Sequence, residues 1–81
     1  MTREHIEAVV RQNICEVVEG ARTLELHASQ SLEELGADSL EIVEVVSRVM
    51  KQLNIRMRRS ELARAANLGE LCDLLESHSQ A

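Results

Sequence analysis

The chain has 81 residues, a formal net charge of −5 at pH 7, and neither aromatic residues nor proline. That length fits one small domain, residues 1–81, of a size that buries only about 60% of its unfolded surface. The acidic balance argues against a nucleic-acid binder, and no aromatic side chain is available to stack on bases.

The core must therefore be built from Leu, Ile, Val, Ala and Met. Such side chains repack at modest cost, so an aliphatic guest could enter between helices. The opening Thr2-Arg3-Glu4-His5 is polar and does not read as a leader. No apolar run approaches membrane-spanning length. The expectation is a soluble, cytoplasmic monomer with no membrane partner. Cys15 and Cys72 permit one disulfide, but nothing else points to a secreted framework.

The first predicted helix has Thr2 as N-cap and runs to about Glu19, with Gly20 as its stop. Ile6, Val9, Val10, Ile14, Val17 and Val18 follow helical spacing and define its apolar face. Cys15 falls on the opposite side and is expected to be exposed. Residues 21–38 form a long connection, and a structureless loop of that length is uncommon in a compact domain. Leu24, Leu26 and Leu32 are expected to pin it to the bundle. Ser31 and Glu34 have capping-box spacing, which predicts a short helical turn between them.

Asp38 and Glu41 repeat that spacing, with Asp38 as N-cap of a second helix running to about Leu53. Ile42, Val43, Val45, Val46 and Val49 are β-branched and mildly disfavour a helix. A strand is rejected because alternation fails at Ile42-Val43 and at Val45-Val46. Ile55 and Met57 are expected to anchor the next connection. Ser60 to Ala65 reads as a short third helix, too brief to be stable alone. Asn67 and Glu70 cap a last helix ending near His78, with Leu68, Leu71, Cys72 and Leu75 on its inner face. The predicted fold class is all-α: a four-helix bundle with a long first loop and a short third helix.

Charge is unevenly spread. Residues 1–47 carry ten acidic and three basic side chains. Residues 48–64 carry Arg48, Lys51, Arg56, Arg58, Arg59 and Arg64 against Glu61. The basic stretch is expected to form one patch, either a solvated face or a docking site.

The segment Leu35-Gly36-Ala37-Asp38-Ser39-Leu40 is the most informative in the chain. It puts a primary hydroxyl at the first position of a helix, where unpaired N–H groups and the helix dipole favour an anion. No catalytic constellation accompanies it. Ser39 has no histidine nearby in sequence and no nucleophile-elbow glycines. His5, His27 and His78 have no ligand spacing with either cysteine, so neither catalysis nor a metal site is expected.

Gly36-Ala37-Asp38-Ser39-Leu40 resembles the modification site of acyl carrier proteins, and the likeness extends over nearly the whole chain. The resemblance implies a non-catalytic carrier. Ser39 would hold 4′-phosphopantetheine covalently, and Asp38 beside it would help orient the arm. Partners would be a phosphopantetheinyl transferase, an acyltransferase, and a ketosynthase or hydroxymethylglutaryl-synthase-like enzyme. Leu40, Glu41, Val43, Glu44 and Ser47 would form the partner-docking strip of the second helix, bordered by Arg58 and Arg59.

After Ser47 the chain departs from the usual acidic pattern of these carriers. The stretch Arg59–Leu71 is more similar to discrete carriers of polyketide pathways, in particular donor carriers of β-branching cassettes. The alternatives are a primary fatty-acid carrier and, from another class, a small helical protein- or DNA-interaction module. The last lacks a recognition helix.

Overall fold

The computed structural model describes residues 2–20 and 27–79. They form four helices: α1 (Arg3–Val17), α2 (Ser39–Leu53), α3 (Arg59–Ala63) and α4 (Leu68–Ser79). No strand occurs among the described residues, so the all-α reading holds. α1 packs on α2 and α4, and α3 bridges α2 and α4.

α1, α2 and α4 each begin at a side-chain cap. On α1, the Thr2 hydroxyl accepts from the His5 N–H at 3.1 Å. Ile6, Val10, Ile14 and Val18 are buried, and Val9 and Val17 pack partly against them. The helix ends at Val17, short of the expected Glu19, because Val18 is already extended at φ −95° and ψ 113°. Gly20 then turns the chain at φ 87°.

Cys15 is half-buried rather than exposed. Val18, three residues on and therefore on the same side, is buried, which carries the covered arc round to Cys15. Asn13 also lies in the interior, a position that hydrophobic spacing does not reveal. Its amide donates to the Val9 carbonyl at 2.8 Å and to Gln52 Oε1 on α2.

Leu24 and Leu26 lie outside the described residues. Leu32 packs partly against the core, as expected. The loop is also held by the backbone. The first N–H groups of α4, on Leu68 and Gly69, donate to the carbonyls of Gln30 and Ala28, each at 2.8 Å. These are donors that a helix start otherwise leaves unpaired. A Cβ at Gly69 would meet Ala28 at 3.3 Å, so glycine is what admits so close an approach.

The turn after Ser31 is closed at both ends. Ser31 and Glu34 exchange both bonds of a capping box, each at 3.1 Å. At the far end, the Ala37 N–H reaches the Leu32 carbonyl and the Gly36 N–H reaches the Glu33 carbonyl. That pairing is a Schellman motif with glycine at the left-handed position. Gly36 has φ +97°, and no atom lies within 4 Å of a Cβ built there. The cost of a side chain would therefore come from the backbone alone. Gly36→Ala should lower stability by about 1–2 kcal/mol in urea unfolding. An unchanged midpoint would show that the turn relaxes freely.

α2 buries Val45, Val46, Val49 and Leu53, so its β-branched run is helical. It ends on Asn54 in the left-handed region at φ 54°. Ile55 is buried and Met57 packs partly on the core. α3 starts one residue before the expected Ser60 and stops at Ala63. Beyond it, the N–H groups of Arg64 and Ala65 reach back three residues to Glu61 and Leu62, a tighter turn than the α-helix. On α4, Asn67 Oδ1 accepts from the Glu70 N–H at 2.9 Å, while the Glu70 carboxylate accepts from the Ala66 N–H at 3.0 Å. Leu68, Leu71, Cys72 and Leu75 are buried as expected. Burial pushes the Cys72 thiol up from its ordinary range, which keeps it a packing residue rather than a thiolate.

Candidate functional site

The site is built by the junction between the Schellman turn and α2. Leu35 and Ala37 alternate inward and are buried, at 4% and 7% exposure. They clamp the segment to the core, so Gly36, Asp38 and Ser39 face solvent. Asp38 is the N-cap in the extended region at φ −86°. Its Oδ1 accepts from the Glu41 N–H at 2.8 Å, and Glu41 Oε1 accepts from the Asp38 N–H at 3.0 Å. The Asp38 carbonyl takes the Ile42 N–H at 2.9 Å.

These bonds leave the N–H groups of Ser39 and Leu40 without an acceptor among the described residues. The Ser39 hydroxyl is likewise unengaged among them. It stands exposed on the first residue of a fifteen-residue helix, in the positive end of the helix dipole. A phosphodiester on its Oγ would meet two N–H donors that have no acceptor among the described residues. The donor set therefore fits a phosphate-linked group.

Asp38 serves as a cap with its carboxylate already engaged. Asp38→Ala should cost about 0.5–2 kcal/mol, and Asp38→Asn should restore most of it. Thermal unfolding of the two variants checks this. No loss in the alanine variant would assign Asp38 to a partner instead.

Leu40 is 81% exposed and Val43 43%, the two large apolar side chains left to solvent among the described residues. Glu44 is exposed, and Glu41 and Ser47 are half-buried. A cavity of about 230 Å³ opens beside the first turn of α2. Leu32, Ile42, Leu62, Leu68 and Leu71 line it, with Glu33 and Arg64 among its charged lining residues.

The basic stretch is divided rather than continuous. Arg48 is paired inside the molecule, with Glu44 at 3.1 Å and with Glu16 of α1 at 3.3 Å. Arg64 lines the cavity. Lys51, Arg56 and Arg58 remain exposed. The side chain of Arg59 lies outside what is described.

Residues 8–75 match the family model of the phosphopantetheine attachment site. The chain belongs to the phosphopantetheine-binding acyl carrier family. This carrier is 33% identical to the polyketide biosynthesis acyl-carrier-protein AcpK of Bacillus subtilis, over 100% of this chain and 99% of the relative. It is 29% identical to the acyl carrier protein of Clostridium acetobutylicum over 52 residues, covering 64% of this chain and 68% of that one. Among solved structures, it superimposes on a chain from the crystal structure of the curacin biosynthetic pathway HMG synthase in complex with acetyl donor-ACP. The TM-score is 0.86 at 32% identity, over 95% of this carrier and 99% of that chain. No helix among the carrier's described residues is long and apolar enough to cross a membrane.

Proposed function

We propose that Ser39 is the attachment residue and that the chain is a discrete, non-catalytic carrier of a polyketide pathway. In this reading it delivers an acetyl or malonyl group to an HMG-synthase-like enzyme. The observation that carries the reading is the free hydroxyl of Ser39 at the amide-rich start of α2, inside the matched family segment. Full-length likeness to a polyketide carrier and to a chain of the HMG synthase complex supports the pathway.

4′-Phosphopantetheine, when bound, supplies a thiol that holds the acyl group as a thioester. The chain's own residues do the rest. Ser39 presents its Oγ to a phosphopantetheinyl transferase, and the amides of Ser39 and Leu40 stabilise the resulting anion. Asp38 and Glu41 fix the helix start. Leu40 and Val43 offer an apolar contact to enzymes, with Glu41, Glu44 and Ser47 beside it. Acyltransferase and ketosynthase partners would use the same strip. The cavity beside Ile42, at about 230 Å³, falls below the about 300–1,000 Å³ of drug-sized sites, which suits a short aliphatic group.

The test is to install an acetylated arm with a broad transferase and add the curacin-pathway HMG synthase. Mass spectrometry then follows loss of acetyl from the carrier. Discharge faster than from the equally loaded carrier of Clostridium acetobutylicum is expected. Equal discharge from both would remove the donor assignment.

A further inference from the structure

The cavity of about 230 Å³ lies on the attachment side of α2, because Ile42, which lines it, stands three residues beyond Ser39. The rise between those residues is about 4.5 Å, less than one helical turn. The buried Leu62, Leu68 and Leu71 close its inner side. Its rim is polar. Ser31 and Glu33 stand in the segment before α2, and Arg64 and Asn67 in the connection between α3 and α4.

That rim holds donors which the fold leaves unused. Asn67 Oδ1 is committed to the Glu70 N–H at 2.9 Å, so Nδ2 is the open end of its amide. Ser31 Oγ accepts from the Glu34 N–H at 3.1 Å, and its own proton has no acceptor among the described residues. The side chain of Arg64 has no hydrogen bond or ion pair among them either. It stays unpaired although Glu33 shares the cavity with it, and although Glu61, Glu70 and Asp73 share a second groove with it. Arg3 and Arg48 show the contrast, since each is bound to carboxylates.

We propose that Arg64 and Asn67 are specificity residues for an acyl group that ends in a carboxylate, so that the chain itself tells malonyl from acetyl. This rests on the carrier assignment. A malonyl group brings a carboxylate that the guanidinium and the Asn67 amide can both bond. An acetyl group ends in a methyl and offers them no acceptor. Glu33 opposes an anion, so the carboxylate settles at the Arg64 and Asn67 side of the rim. Arg64 is exposed, so water screens the pairing and the hold is weak. A weak hold sets where the malonyl end rests and still lets the group leave for an enzyme.

The experiment loads the full chain with a broad transferase, from acetyl-coenzyme A or from malonyl-coenzyme A labelled with ¹³C at its free carboxylate. Intact mass verifies each loading. Nuclear magnetic resonance then reads the Arg64 Nε–H and Asn67 Nδ2 signals and the pH at which the malonyl carboxyl titrates. Malonyl should move both side-chain signals relative to acetyl. The malonyl carboxyl should titrate at a pH lower by about 0.5 in wild type than in Arg64→Gln, because a cation beside a carboxylate favours its ionised form. Glu33→Gln should lower it further. Arg64→Lys keeps the charge and should retain part of the difference. The comparison of malonyl with acetyl on wild type needs no variant, so it decides the matter even if Arg64→Gln does not fold.

Identical Arg64 and Asn67 signals with malonyl and acetyl would overturn the proposal, as would a titration unchanged by Arg64→Gln. An equal change in Arg11→Gln, at an exposed position on α1, would reduce the effect to net charge and overturn it too. Absence of any loaded arm by intact mass would overturn the carrier reading and this proposal with it, whereas loaded protein with unchanged signals overturns this proposal alone.

Discussion

Ser39→Ala should abolish acyl loading completely while leaving the protein folded. The hydroxyl makes no hydrogen bond among the described residues, so its removal orphans no partner. Its neighbours Asp38 and Glu41 supply the cap, and both reciprocal bonds of that cap survive the change. Alanine is also a better helix former than serine at the start of α2. Unfolding of the variant should match wild type within about 0.5 kcal/mol, the usual range for surface changes. Loading is read with a labelled acyl-coenzyme A and a broad transferase. A variant that still accepts label would move the attachment elsewhere, and one that unfolds would reveal a structural role for the hydroxyl.

Leu62→Ala should be among the more damaging single changes outside the modification motif. α3 has five residues and no side-chain bond at its N-cap, so it cannot persist by its own hydrogen bonds. Leu62, 2% exposed, ties it to the core and also lines the cavity beside α2. Removing a buried leucine side chain costs about 2–5 kcal/mol, a large share of the stability of a domain this small. The loss should be local first. Amide exchange should accelerate across 59–65 before it does in α1 or α2, and the urea midpoint should fall. Unchanged protection in α3 would mean that other contacts hold it.

What the sequence made legible was local. Thr2, Ser31 with Glu34, Asp38 with Glu41, and Asn67 with Glu70 all act within four residues, and the structure forms bonds at each. The inner rows of α2 and α4 followed from spacing for the same reason. Ser39 was marked by its place in a motif whose turn, cap and helix are consecutive in the chain.

Features that depend on distant segments meeting were not legible. Arg48 counted as part of a basic stretch until the fold brought Glu16, 32 residues away, within reach. Asn13 is a polar residue on an apolar face, and its burial makes sense only once Gln52 of α2 lies opposite. The long loop is held by backbone bonds to the start of α4, which no side-chain pattern encodes. Cys15 is half-buried against the wheel's expectation because a helical wheel marks the centre of a buried face and not its edge.

The central claim is that the chain is a carrier loaded at the start of α2. Its most direct test is incubation of the wild-type protein with coenzyme A and a broad phosphopantetheinyl transferase, followed by intact mass and then peptide fragmentation. The account predicts a single phosphopantetheine adduct, located on the peptide containing Ser39. No adduct, or an adduct on another serine such as Ser31 or Ser47, would contradict it.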